Sequence, residues 1–186
     1  HVDLPFSRQA LNAVEVPCGR RPMPDQDLAA TMYETMLDRL GGAGYEQYEI
    51  SNFARRGYES RHNSKYWCLE PVFGFGVSAH SFDGRERYAN ERDTAKYVEM
   101  IEKNSSAEVM REAVDLASEA AFLGLRMESG IDLAAFETRF GGDLIAQNRE
   151  DLERVSLAGL VEIADGRLRL TRRGKLFSNE VFAVFV

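Results

Sequence analysis

Hydrophobic patterning along this 186-residue chain changes character after Asp93. Upstream, single helical and strand-like segments alternate. Downstream, helices follow one another and finish in a hairpin and a last helix. Helix, short loop, strand is the unit of a layered α/β fold, whereas helix, turn, helix, hairpin wing, helix is winged-helix order. The chain therefore reads as two domains, residues 1–104 and 105–186, joined by a hinge at "NSSAE" with the boundary at 104–107.

Local signals support this division. The start, up to "CGRRPMP", is expected to be irregular because Pro17, Pro22 and Pro24 block regular structure. Asp25 then caps a helix whose Leu28, Met32, Tyr33, Met36, Leu37 and Leu40 form one stripe, and Gly41, Gly42 and Gly44 end it. "YEQYEI" (45–50) predicts a strand. "PVFGFGVSAHSF" (71–82) is a strand-like run broken by Gly74 and Gly76, where a backbone or a ligand is expected to approach closely. Asp83-Gly84 is a hairpin turn into "RERYAN". "DTAKYVEMIEKN" predicts a helix, and residues 108–127 a long Ala/Leu helix ending near Ser129-Gly130. "DLAAFETRF" and "DLIAQNREDLERVSLAGL" add two more, with Gly141-Gly142 between them. "LVEIADGRLRL" is a hairpin about Asp165-Gly166, and Thr171 caps a final helix bearing Leu176, Val181, Phe182 and Phe185.

A net charge of −7 disfavours non-specific binding to nucleic acid or to an anionic membrane surface. No apolar run approaches the ~18 residues of a membrane span. Cys18 and Cys68 form no C-x-x-C pair, which excludes a disulfide scaffold and a cysteine metal site and suits a reducing cytoplasm. Cys68 is expected to be a buried small hydrophobe. The chain opens on a histidine with no signal-peptide pattern after it, so a piece of a longer protein is expected, with its natural start upstream.

The winged-helix order raises DNA binding as one class. The segment expected to read a major groove carries Asp143, Glu150, Asp151 and Glu153 against Arg149 and Arg154, the wrong sign for a polyanion. Arg167, Arg169, Arg172, Arg173 and Lys175 form a basic cluster that favours nucleic acid. The same cluster also suits a solvated edge packed against the acidic first domain.

"SNFARRGYESRHNSKYW" (51–67) carries more aromatic mass than a connection needs. A neutral imidazole ligates iron or zinc and works as an acid or base near neutrality. Tyr66 and Trp67 offer broad planar faces. With Asn63 beside them, the set suits a flat conjugated ligand such as a porphyrin. It equally suits a core in which His62 satisfies a carbonyl while both rings fill space. His80 ends the glycine-rich strand and is a second candidate metal ligand. In α/β barrels, sites gather where parallel strands end in loops, and "YEQYEI" and "FGFGV" would share such a face if both are parallel barrel strands.

"GYEQYEISNFAR", "SRHNSKYW", "GFGVSAHSFDG" and "FLGLRMESGIDLAAFETRFG … GLVEIADGRLRLTRRGKLFSNEVF" recur in order and cover nearly the whole chain from about Met23. Together they resemble the C-terminal half of radical-SAM proteins related to oxygen-independent coproporphyrinogen III oxidase, most of all the HemW-like haem-chaperone branch. The resemblance implies the C-terminal part of an incomplete (β/α) barrel in 1–104 and a small winged-helix-like domain in 105–186. It associates H-N-x-x-Y-W with haem, here His62, Asn63, Tyr66 and Trp67, with His62 as the iron ligand. By weaker transfer, Gly74, Gly76, Ser78 and Ala79 line an S-adenosylmethionine cavity.

Two departures qualify the resemblance. The C-x-x-x-C-x-x-C that holds a [4Fe–4S] cluster is absent, so the chain alone is expected to be catalytically inactive. "FARRG" and "GVSAHS" stand where the family has Ala-Arg-Pro-Gly and Gly-Pro-Gly-Ala-His-Ser. The implied function is haem binding and delivery to haem-accepting proteins. Coproporphyrinogen oxidation is the enzymatic alternative and a nucleic-acid module the third class. A truncated barrel would also leave an unpaired sheet edge, which predicts a homodimer or poor solubility for 1–104 alone.

Overall fold

The computed structural model describes residues 26–185, so Pro17, Cys18, Pro22, Pro24 and Asp25 lie outside the described residues. The chain divides into two compact units, His1–Arg39 and Leu40–Val186. Helix α1, Gln26–Gly42, forms where the apolar stripe predicts it. Its end is closed by the Ala43 and Tyr45 N–H groups, which donate to the Leu40 carbonyl at 3.1 and 2.9 Å. Gly44 takes φ +82, a left-handed turn that a side chain would resist.

Beyond α1 come strands β1 (Glu46–Glu49) and β2 (Asn52–Ala54), helix α2 (Arg61–Trp67), and strands β3 (His80–Phe82) and β4 (Glu86–Asn90). Helix α3 (Thr94–Asn104), strand β5 (Glu108–Ala113), helix α4 (Leu116–Gly124) and strand β6 (Ile131–Asp132) follow. Helices α5 (Leu133–Phe140), α6 (Leu144–Gln147) and α7 (Arg149–Leu157) precede the hairpin β7 (Val161–Ala164) and β8 (Arg167–Leu170), and the short helices α8 (Arg172–Leu176) and α9 (Ser178–Phe182) end the described chain.

The strands form three small sheets, β1-β2, β3-β4-β5 and β6-β8-β7. Every pairing in them is antiparallel. Of the two segments expected to be parallel strands, "YEQYEI" supplies β1 of an antiparallel sheet and "FGFGV" forms no strand. The strand-like run 71–82 also contracts. Only His80–Phe82 is strand, with Val72 bridging back to Phe82.

The long helix expected over 108–127 is replaced by β5, a two-residue link and α4. Ala, Glu and Met favour helix, but the free edge of β4 overrides that preference. β5 lies against β4 in the register Glu86↔Ala113, Tyr88↔Arg111 and Ala89↔Met110. Arg111 locks it by reaching Glu86 at 3.0 Å and Glu108 at 2.7 Å while stacking over Tyr88 at 4.4 Å. β5 follows the expected hinge at once, so it ties the two sides of 104–107 into one sheet. The expected last helix is likewise two, broken at Phe177, with Thr171 capping the first as predicted.

Asp115 starts α4 by accepting from the N–H groups of Ala117 (3.1 Å) and Ser118 (3.3 Å) and from the Ser118 hydroxyl (3.0 Å). The Ser118 N–H leads the effects that hold its carboxyl below the usual aspartate value. The cap therefore contributes fully above the ordinary aspartate pKa of about 3.9 and fades as pH falls through the depressed folded value. Asp115→Ala should cost about 1 kcal/mol at neutral pH. Thermal melts of the two proteins should converge on acidification, and a constant gap would remove the charge from the explanation.

α4 is apolar nearly all round, the signature of a buried helix, and it serves two cores. Ala121 and Leu125 after it join Ile131, Phe136, Leu152, Val155, Leu168, Val181 and Phe182 in the larger cluster. Leu123 joins Leu69 and Phe82 in the smaller one, with Tyr66, Trp67 and Leu116 packed against it. Ala120 and Phe122 touch both.

Candidate functional site

The segment 60–67 folds as a two-turn helix because Ser60 caps it, its hydroxyl accepting the Asn63 N–H at 3.3 Å. His62 lies in the first turn and is exposed, and Asn63 is half-buried. Tyr66 and Trp67, in the last turn, meet edge to face with centroids 5.0 Å apart and pack against the Leu69–Phe82–Leu123 core. Both rings are half-buried against that core, while His62, one turn before Tyr66, is exposed.

Each ring is held by an arginine. Arg87 of β4 lies over Tyr66 at 5.4 Å, donates to its hydroxyl at 2.9 Å and forms an ion pair with Glu119 of α4. Burial pulls the Arg87 pKa down, but hydrogen bonds to Glu119 and Tyr66 outweigh it and the net shift is upward. Arg126 lies over Trp67 at 4.3 Å and donates to Glu49 of β1 at 3.3 Å. Its side chain is 7% exposed and that of Glu49 is 0% exposed, so this pair is removed from water. Burial lowers the Arg126 pKa and Glu49 opposes the effect.

Glu49 is further satisfied by the Ser51 N–H at 3.0 Å and by the Asn52 amide. Main-chain bonds fix the same junction, from Ile50 N–H to the Arg126 carbonyl (3.0 Å) and from Glu128 N–H to the Tyr48 carbonyl (3.1 Å). Trp67 Nε1 and Arg126 Nε are buried without a hydrogen-bond partner among the described residues.

Cys68 follows the helix and is exposed, not buried as expected. Leu69, 5% exposed, takes the interior position instead.

In the glycine loop, a Cβ at Gly74 would stand 2.4 Å from the His80 carbonyl oxygen, so the close approach is made by the chain's own backbone. Gly76 has φ +99 and its carbonyl accepts from the Asn90 amide at 2.9 Å. Ser78 and His80 are exposed, and Ala79 is half-buried. His80 opens β3 opposite Ala89.

In the basic cluster, Arg167 pairs with Asp132 at 3.1 Å and bonds the Ser129 carbonyl at 3.1 Å. Lys175 pairs with Glu128 and donates to the Gln47 side chain at 3.0 Å. Much of that charge serves internal contacts.

Residues 112–177 match the family model of the HemN C-terminal domain. The chain is 36% identical over 173 residues to the heme chaperone HemW of Bacillus subtilis, which covers 90% of this chain and 45% of that protein. It is 32% identical to HemW of Lactococcus lactis over 88% of this chain and 44% of the relative. The chain is thus similar to the HemW heme chaperones over nearly its whole length. It spans less than half the length of these relatives. Coproporphyrinogen III oxidase (HemN) from Escherichia coli, a radical SAM enzyme, shares the fold at TM-score 0.72 and 18% identity, over 98% of this chain and 45% of that one.

Family cofactors can be tested against these residues. A [4Fe–4S] cluster takes thiolate ligands, and the sequence offers only Cys18 and Cys68, so the donor set does not fit. Among the described residues no group of three or more His, Cys, Asp or Glu is arranged to hold a metal. Haem iron asks less. One imidazole suffices for an axial bond; the His62 residue is exposed, and Tyr66 and Trp67 are packed against the Leu69–Phe82–Leu123 core. Among the described residues, no helix is long and apolar enough to cross a membrane.

The residues missed from sequence are Glu49, Arg87, Glu119 and Arg126. One signal was available for Arg126, a lone charge inside the apolar run "FLGLRM". Such a charge requires a buried partner.

Proposed function

We propose that this chain is the C-terminal part of a HemW-like haem chaperone and that His62 is its haem-iron ligand. The carrying observation is an exposed imidazole on a helix whose opposite end is anchored in core, within a chain 36% identical to a heme chaperone. Haem would lie against the helix surface, coordinated by His62, with Asn63 at its side. Tyr66 and Trp67 act by fixing the helix against the core. The whole protein would carry the iron–sulfur cluster and S-adenosylmethionine, with Gly74, Gly76, Ser78 and Ala79 toward that cavity, and would pass haem to accepting proteins in the cytoplasm. Lacking the cluster's thiolates, this part performs no radical step by itself.

The incomplete barrel, the winged-helix-like character of 105–186 and a homodimer through the free edges of the small sheets belong to the same proposal. Oxidation of coproporphyrinogen draws support from likeness of fold to HemN and from the HemN C-terminal family model. Nucleic-acid binding is disfavoured by the internal pairing of Arg167 and Lys175.

Titrating the purified chain with haem should give a Soret shift that His62→Ala abolishes and His80→Ala leaves in place. A shift and affinity unchanged by His62→Ala would end the ligand assignment.

A further inference from the structure

We infer that Arg87 and Arg126 are positioning residues for His62, acting through Tyr66 and Trp67. This rests on the haem reading for its biological meaning, and on geometry for its substance. α2 is seven residues long and has no fully buried side chain. Its contribution to the core is the Tyr66–Trp67 pair. So short a helix cannot hold its own orientation, since isolated helices under ~12 residues are marginal in water.

The orientation comes from outside. Arg87 grips Tyr66 from β4 and is held in turn by Glu119 of α4. Arg126 covers Trp67 from the end of α4 and is held by Glu49 of β1. The two rings lie nearly perpendicular, at 84°. Either contact lies off the helix axis and restrains rotation about it, and two rings at right angles restrain it more firmly than one. His62 and Tyr66 are four residues apart and so share a face, which makes the azimuth of the imidazole a direct function of the Arg87–Tyr66 contact. The arrangement is that of a ligating histidine and its outer supports, except that the supports act through rings one helical turn away.

Both supports can be weakened without unpairing a charge. Arg126→Lys keeps a cation for Glu49 but loses the flat face over Trp67. Tyr66→Phe keeps the ring but removes the acceptor for Arg87. The chain has three histidines, so the His62 imidazole signals in a proton–carbon NMR spectrum are assignable by comparison with His62→Ala. Trp67 is the only tryptophan, so emission reports its contact with residue 126 directly.

The double variant should stay folded by circular dichroism, shift the Trp67 emission, and broaden or displace the His62 signals while leaving those of His80 in place. Its haem affinity should fall on the order of tenfold, as for loss of an outer support. A folded double variant with unmoved His62 signals overturns the inference whatever haem does. If the double variant unfolds, Tyr66→Phe alone decides on the same readouts. Moved His62 signals with no His62-dependent haem binding in the wild-type chain would support the positioning and defeat the haem reading.

Discussion

Arg126→Met should destabilise the chain by about 3–5 kcal/mol, because it leaves the Glu49 carboxylate in the interior without its cation. That is a large share of the 5–15 kcal/mol that holds a typical domain folded. The cost comes from the orphaned charge rather than from lost attraction. The double variant Glu49→Gln with Arg126→Met, which removes both charges and keeps an amide for the Ser51 and Asn52 donors, should therefore recover most of the loss. Urea unfolding of the three proteins checks this, and a single variant within ~1 kcal/mol of wild type would mean that water reaches Glu49. The exposed pair Lys103–Glu99, whose side chains are 67% and 60% exposed, is the control. Removing Lys103 should change stability by less than about 1 kcal/mol.

Gly174→Ala should be similarly damaging for a steric reason. A Cβ there would stand 1.7 Å from the Leu160 carbonyl oxygen and 2.7 Å from its carbon, both backbone atoms. Leu160 cannot yield cheaply. It is 3% exposed, and its carbonyl accepts the Thr171 N–H at 3.0 Å, the bond that seats the start of α8. The expected loss is about 3 kcal/mol or more, the upper end for overpacking. Gly142 offers the contrast. Its added Cβ would meet the Gln147 amide at 2.3 Å, the end of a flexible side chain that can swing away. Parallel thermal melts should therefore show a large fall for Gly174→Ala and a small one for Gly142→Ala. Equal falls would count against backbone crowding as the cause.

Local punctuation made much of the C-terminal region legible. Asp165-Gly166 marked the β7–β8 turn, where both residues take positive φ, and Thr171 announced a helix start that the structure contains; the helices expected over "DTAKYVEMIEKN" and "DLAAFETRF" form, whereas the one expected over "DLIAQNREDLERVSLAGL" is two, broken at Asn148. What failed depended on distant partners. Residues 108–113 have helical composition, yet the edge of β4 claims them. Cys68 looked like a core residue because thiols usually are, but nothing local indicates that Leu69 takes that place.

The aromatic segment shows the same limit more sharply. Its residue types admitted both a ligand cradle and a core, and spacing does not say which way two adjacent rings point. Glu49, Arg87, Glu119 and Arg126 decide that question. Each is remote in sequence from the rings it helps to orient.

Glu49 and Arg126 are 77 positions apart. Their contact closes a long loop, and such closures are entropically costly and slow relative to local helix formation. The histidine-bearing turn should thus acquire its final bearing only in the closing moments of folding, after α4 has docked on both of its cores. The same ordering in reverse makes it an early region to loosen, so amide protons of residues 61–67 should exchange faster than those of α4.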